Sequence, residues 1–373
     1  MTTLMQASNQ WAKRPDDERF LSLTAMLAHF TKIKNESRAT VLGSRTLEAV
    51  AADHTNLFVT KNEPGKERGP GAAPTNWAFN QLCKLADVPA GYVGELPAEL
   101  AAVNLNHGLQ FRRDIADVGL LLQRDEESKA VTLRAATGPQ YGRIWNRDVV
   151  AALIEKFGDG VTGAFRVPGE FGKAVDVDKR NTTLYASDRD MFVFLADEEH
   201  RIEIPNRRNG EPGSLARGFF MWNSEVGKTT IGLGTFLFDF VCMNRIVWGA
   251  QDYKEIRIRH TAGAPERFLE EMRPAIAALS TAPTANIVQA ITAARAASVA
   301  DRLDAFLGKT LEKLGGKGLI NPIKQIHDAE EGRPIESLWD VATAMTAYAR
   351  GLKHQDKRVA IEKAAGAVIK LAA

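Results

Sequence analysis

Between Val118 and His260 the chain changes its period. Six short runs, Val118–Gln123, Val131–Ala135, Met191–Ala196, Phe219–Trp222, Thr229–Phe238 and Ile256–His260, are rich in β-branched and aromatic residues and are separated by Gly, Asp or Asn. Such runs fit short strands joined by turns. One helical stretch, Arg147–Phe157, interrupts them. From Pro265 onward the segments RFLEEMRPAIAAL, ANIVQAITAARAASVADRLDAFLG and VAIEKAAGAVIKLAA favour helix by propensity and period. Together these textures predict an α+β protein with a central, largely antiparallel sheet, flanking helices and a helical C-terminal region.

The earlier part of the chain reads less uniformly. Asp16–His29 places acidic residues in a first turn and Phe20, Leu23 and Leu27 at helical spacing, which predicts an amphipathic helix. Lys61–Pro74 concentrates Pro, Gly and charge and reads as an exposed loop. Asn76–Ala86 looks helical, and Pro89 and Pro97 punctuate the next stretch of chain with short turns and helices. The expected divisions are an N-terminal helical segment and loop over 1–74, an α+β core over 75–262 and a helical region over 263–373. Within the last, Ser337 with Asp340 marks a helix start of capping-box type, and Gly315, Gly316 and Gly318 break the helix before it.

The 373 residues carry 48 Lys and Arg against 46 Asp and Glu, a formal charge of +2. No global field therefore draws in a polyanion, and any nucleic-acid surface has to be local. Cys83 and Cys242 stand far apart in a chain too large to need a staple, which predicts reduced thiols in a cytosol. No run of eighteen apolar residues and no basic-then-apolar leader is present, so neither membrane spanning nor secretion is expected.

Several motifs tempt and then fail. WNSEVGKTT ends like a phosphate-cradling loop, but Trp222 stands where its first glycine belongs and strand-like residues come after Lys228, so a turn between strands is expected. Gly232 and Gly234 lack the third glycine and the helix of a dinucleotide fingerprint. The two cysteines have no CxxC partner and the histidines no helical pairing, which argues against zinc. Asp176, Asp178 and Asn181 open like a calcium loop that lacks its glycine and its closing glutamate. Asp188 and Asp190 would share a face if they lay in a strand, and they form the nearest candidate for a divalent-ion pair; turn chemistry explains them as well. Neither catalytic residues nor a cofactor is assigned.

The basic residues are better placed than their number suggests. In Ile256–His260 alternation sends the isoleucines one way and Arg257 and Arg259 the other. Arg207 and Arg208 lie in a Pro/Asn/Gly stretch, Arg134 and Arg143 flank the Gly138-Pro139 turn, and Lys228 and Arg245 add charge. Tyr141, Trp145, Trp222 and Trp248 supply rings. A groove so lined suits single-stranded nucleic acid, with phosphate contacts giving affinity and stacking about 1–3 kcal/mol per base. Acidic residues are as frequent in the same region, and solvated ion pairs are the competing explanation.

Arg134, Tyr141-Gly-Arg143-Ile144, Asn146, the strand SDRDMFVFLAD, Gly218, Asn223-Ser224-Glu225-Val226-Gly227, Cys242-Met243-Asn244 and Arg257-Ile-Arg259-His260 occur in an order and spacing that resemble the phage/plasmid-like proteins of unknown function, over roughly residues 40 to 290. Arg245 departs from that pattern, which commonly has glycine there. The resemblance implies no activity residue by residue; its setting implies a single-stranded DNA binding or annealing accessory of recombination or replication. Asn223, Ser224, Glu225, Gly227, Cys242, Asn244 and His260 form a motif whose role is either backbone geometry or function.

Three readings result. The first is a non-enzymatic DNA-binding protein of mobile elements, self-associating through its C-terminal helices. The second is a metal-dependent nucleic-acid enzyme with Asp188, Asp190 and Glu225 around magnesium. The third is a module acting against host defence through a protein partner held on the helices of Pro265–Leu307.

Overall fold

The computed structural model describes residues 15–62, 65, 71–111, 117–168, 176–180, 182–208, 211–239, 244–246, 256–281, 285–312, 316–350, 352 and 355–372. Asp16–Glu18 form one 3-10 turn and Arg19–Phe20 a short strand, β1; helix α1 starts only at Leu23 and runs to Glu36. The helix predicted from Asp16 is thus displaced, because Ser22 adopts an extended conformation and its Oγ accepts the Ala25 N–H at 3.1 Å, which makes it the N-cap.

Three strands come next, where a helical segment and loop were expected: β2 (Ser37–Gly43), β3 (Leu47–Ala51) and β4 (Leu57–Lys61). After β5 (Ala73–Pro74) come helices α2 (Asn76–Ala86), α3 (Ala90–Val93) and α4 (Ala98–Phe111), then β6 (Asp117–Arg124) and β7 (Val131–Thr137). Strand β2 pairs along its whole length with β6, in a sheet ordered β2-β6-β7-β5, while β3 and β4 form a hairpin beside it. A boundary at residue 74 would therefore cut one layered unit. Its core joins Leu47 and Val59 of the hairpin, Leu82 of α2, Leu105 and Leu109 of α4, and Leu120 and Leu133 of the sheet. Gly108 permits the close crossing of α4 over α2, since a Cβ there would lie 2.0 Å from the Ala86 carbonyl oxygen.

Helix α5 (Asn146–Phe157) leads into the larger sheet, built from β1, β8 (Phe165–Arg166), β9 (Leu184–Ala186), β10 (Met191–Asp197), β11 (Ile202–Arg208), β12 (Glu211–Asn223), β13 (Ile231–Asp239), β14 (Asn244–Ile246) and β15 (Ile256–Ile258). Its spine is β10-β12-β13, wholly antiparallel, and β14 and β15 both pair with β13, one toward each end. Alternation sends Met191, Val193, Leu195, Phe219, Met221, Ile231, Leu233 and Ile258 into one core. There they meet Met26 and Phe30 of α1, Leu153 and Phe157 of α5, and the helices after the sheet: α6 (Ala264–Arg267), a π-helical turn at Phe268–Met272, and α7 (Arg273–Thr281). The other face carries a row of rings, Tyr185, Phe192, Phe220 and Trp222, with successive centroids 6.5, 6.1 and 5.5 Å apart.

The C-terminal region is helical, as the Ala-rich texture predicts: α8 (Ala285–Ala296), α9 (Leu303–Thr310), α10 (Ile320–Glu331), α11 (Leu338–Arg350) and α12 (Gln355–Ile369). Its core includes Ile202, Ile204, Leu215 and Leu237 from the far end of the large sheet, so these helices pack on the sheet itself. Ser337 Oγ accepts the Asp340 N–H at 3.2 Å and Asp340 Oδ2 accepts the Ser337 N–H at 3.1 Å, a reciprocal cap at the start of α11. The protein is thus α+β, with a large antiparallel sheet and a helical C-terminal region. Among the described residues no helix is long and apolar enough to cross a membrane.

Candidate functional site

Residues 224–230 join β12 to β13, and the first three of them, Ser224, Glu225 and Val226, are fully buried although two are polar. Burial of this kind is stable only when each polar group has a partner. Tyr141 Oη donates to the Ser224 carbonyl at 2.8 Å and accepts the Gly227 N–H at 3.1 Å, and Ser224 Oγ donates to the Arg189 carbonyl at 2.6 Å. Trp77 Nε1 and Gln81 Nε2, one turn apart on α2, both donate to the Val226 carbonyl, at 2.9 and 2.7 Å. Gly227 turns with φ +82°, the left-handed region that glycine enters without strain.

Glu225 is the centre of the arrangement. Its Oε1 accepts the Asn146 backbone N–H at 2.8 Å, at the first turn of α5, where the helix dipole favours an anion. Its Oε2 lies 2.9 Å from Arg134 Nη2, and Arg134 is itself 5% exposed. Arg143 Nε donates to the Glu225 carbonyl at 2.8 Å, and Asn223 Nδ2 donates to the Ile144 carbonyl and to Asn146 Oδ1, both at 2.8 Å. Arg134 belongs to the smaller sheet and Glu225 to the connection β12–β13, so the ion pair joins the two layered units. Val226 packs with Leu121 and Ala135 at the same junction. The anion on this helix N-terminus is the protein's own carboxylate, which leaves no phosphate cradle in WNSEVGKTT.

His260 stacks on Tyr141 with ring centroids 4.9 Å apart, and its Nδ1 lies 3.0 Å from the Gly142 carbonyl oxygen. A carbonyl only accepts, so Nδ1 carries the proton and the buried Nε2 is without a hydrogen-bond partner among the described residues. Burial, with help from the Arg143 charge, holds the imidazole below the ordinary histidine range, against the opposing effect of the Gly142 contact. Burial also raises the Tyr141 phenol above its usual range.

The predicted nucleic-acid residues divide sharply. Arg134 and Trp222 are buried, Tyr141 is committed through its hydroxyl, and Arg143 is half-buried against Tyr141 and Trp145, so these four do not form an open groove. Trp222 is 3% exposed and stacks on Phe220, which removes it as a platform for bases. Lys228, Arg257 and Arg259 are exposed: Lys228 Nζ sits 4.7 Å over the Trp77 ring, and Arg257 Cζ lies 6.0 Å from the Trp222 ring centroid. Ile256 and Ile258 face the core, which sends Arg257 and Arg259 outward. Arg207 and Arg208 fall in β11 and Asn244 and Arg245 in β14, with side chains outside the described parts; Asn181, Cys242 and Trp248 lie outside the described residues.

The carboxylate reading takes a different course. Asp188 and Asp190 stand in a turn closed by Ser187 N–H to the Asp190 carbonyl at 2.9 Å, not in a strand, so alternation does not place them on one face. Asp188 pairs with Arg189 at 3.5 Å and Asp190 Oδ1 accepts from Ser187 Oγ at 3.1 Å, while Glu225 is held by Arg134. Among the described residues no three His, Cys, Asp or Glu side chains gather to hold a metal ion. Trp77 and Gln81 are parts of the site that sequence alone does not signal. The i, i+4 spacing of Trp77 and Gln81 does place them on one helix face, but nothing linear pairs that face with Val226.

No protein-family model, no curated protein and no solved structure matches this chain.

Proposed function

We propose that the protein binds single-stranded DNA, without catalysing a reaction, as an accessory in phage or plasmid recombination or replication. The observation that carries this reading is the exposure of Lys228, Arg257 and Arg259 along one edge of the large sheet. Gly232 pairs with Arg257 and Ile231 with Ile258, so the antiparallel register brings the residues preceding Ile231 alongside those after Ile258. Lys228 and Arg259 make no ion pair with a described residue. Their backbone is fixed by the buried network of Glu225 and Tyr141, which removes the backbone share of the ordering cost. Affinity rests on phosphate contacts, because Trp222 is buried and Tyr141 is committed through its hydroxyl. The resemblance to phage/plasmid-like proteins supports the biological setting.

The competing readings have less to stand on. A magnesium site of Asp188, Asp190 and Glu225 is not formed, and the helices of 265–307 turn most of their large apolar side chains inward, with Leu269 and Val288 exposed. Exposed apolar side chains also occur outside those helices, among them Tyr92 on α3 and Leu100, Val103 and Phe111 on α4.

Anisotropy of labelled single- and double-stranded oligonucleotides over a salt series, with magnesium present and product lengths checked, tests the proposal. Salt-sensitive binding to intact single strands is expected. In the folded Lys228→Glu/Arg257→Glu/Arg259→Glu variant, loss of three phosphate contacts should flatten the slope of log K against log salt by about 2. Cleavage, or unchanged affinity in that variant, overturns the proposal.

A further inference from the structure

A cleft of about 450 Å3 opens between the β3–β4 hairpin and the part of the β2-β6-β7 sheet that the helices leave uncovered. It lies apart from the Glu225 network, which is on the opposite face of that sheet. Alternation accounts for its lining: Arg38, Thr40 and Leu42 project from one side of β2, and Leu120, Leu122 and Arg124 from the matching side of β6. The walls are aliphatic, completed by Leu47, Val59, Val131 and Leu133, and the volume falls in the roughly 300–1,000 Å3 range of small-ligand sites.

Two features of the lining call for an occupant. Arg38 pairs with Leu122, so Arg124 is its diagonal neighbour on the same face, and such neighbours stand about 7–8 Å apart. Both arginines are exposed, and neither side chain makes a hydrogen bond or ion pair with a described residue. Lys61 adds a third cation to the lining. Adjacent like charges at an apolar opening are relieved by an anion between them. The second feature is Glu36, with a side chain 2% exposed: Oε2 accepts from Gln123 Nε2 at 2.8 Å, while Oε1 has no hydrogen-bond partner and its nearest cation is Lys32, at 3.7 Å. A buried carboxylate oxygen in that condition is an acceptor waiting for a donor.

One ligand must therefore offer an anion for the arginines, a flat or apolar body for the aliphatic walls and an N–H for Glu36. A long-chain carboxylate supplies the first two and sets methylenes against the Glu36 oxygen. We propose that the cleft binds a nucleotide whose base carries an exocyclic amino group, with its phosphate on Arg38 and Arg124 and the amino group donating to Glu36. Thymine is disfavoured, since its single N3–H is flanked by two carbonyl oxygens that a carboxylate repels. The same chemistry is offered by a free nucleotide and by one unit of a strand; the second source rests on the strand-binding reading of the large sheet's edge.

Calorimetric titration of the full chain with dAMP, dCMP, dGMP and dTMP, beside anisotropy with homopolymeric oligonucleotides, separates the sources. One amino-bearing nucleotide should bind per chain, at least tenfold more tightly than dTMP. Arg38→Glu/Arg124→Glu should weaken it at least tenfold, Arg257→Glu/Arg259→Glu should leave it unchanged, and Glu36→Gln should narrow the discrimination against dTMP. If charge reversal unfolds the chain, Arg38→Gln/Arg124→Gln gives the same readout. Competition between oligonucleotides and mononucleotides assigns the cleft to a unit of a strand; nucleotide binding without competition assigns it to the free nucleotide, and either supports the site. Absence of mononucleotide binding by the folded protein, equal affinity for dTMP, or indifference to both arginine variants overturns it, whatever oligonucleotides do at the edge of the large sheet.

Discussion

The indole of Trp222 occupies the space that a side chain at Gly232 would need: a Cβ built there would lie 1.9 Å from Trp222 Cζ2. The two residues are cross-strand partners on β12 and β13, and Phe220 stands in the same relation to Gly234, where a Cβ would meet the ring at 2.5 Å. The glycines that suggest half of a dinucleotide fingerprint are floor for two rings. Gly232→Ala should accordingly cost about 1–3 kcal/mol by overpacking. Gly263→Ala, with open space around it, is the control. Chemical denaturation that left the midpoint of Gly232→Ala where it is in the wild type would contradict this packing.

Glu225→Gln should destabilise the fold by about 3–5 kcal/mol, because Arg134 would remain buried without its counter-charge. Replacing both, as Arg134→Met/Glu225→Gln, should recover a large part of that loss. Urea unfolding of the two single variants and the double variant gives the coupling directly, and additive losses would show that the pair is not a unit.

Stability should fall as pH drops below about 6.5, the ordinary histidine value. His260 and His29 both have lowered pKa values in the fold, each chiefly through burial. The folded state therefore binds fewer protons than the unfolded chain: the contribution is complete above the unfolded value and is lost as pH falls from there toward the folded one. Thermal melts of the wild type and of His260→Gln between pH 8 and pH 5 should show a shallower decline in the variant.

Asp340→Ala should cost about 2 kcal/mol or more. The buried carboxylate accepts from the Glu336 and Ser337 backbone N–H groups at 3.1 Å each and from Arg333 at 2.7 and 3.0 Å. Burial alone would raise its pKa, and these bonds reverse that and hold it below the usual carboxylate range. Asp340→Asn keeps the shape and part of the capping, so it should fall between the wild type and alanine in a denaturant titration.

Local pattern is enough for much of this fold. Asn76–Ala86 is a helix with the bounds its sequence suggests, four of the six strand runs sit within observed strands while Thr229–Phe238 and Ile256–His260 overrun theirs by two residues each, and Ser337 and Asp340 cap as their spacing requires, because period and capping act within a few residues. The outward turn of Arg257 and Arg259 is legible for the same reason. Strands β2 to β4 are not legible, because SRATVLG, LEAVA and LFVTK are short and mixed, and β2 gains its stability from pairing with β6, about 80 residues later.

By itself, then, the sequence determined the principal strands from Val118 onward, the helical C-terminal region, and which side of those strands a residue takes. Tertiary structure alone decided what lies across from that side. Arg134 and Trp222 look like binding residues in a linear reading because a strand face can meet solvent or another layer with the same alternation. Packing a second layer against Arg134 removes it from water, and the buried charge is matched to Glu225, remote in the chain, while the Trp222 indole lies over Gly232 on the adjacent strand.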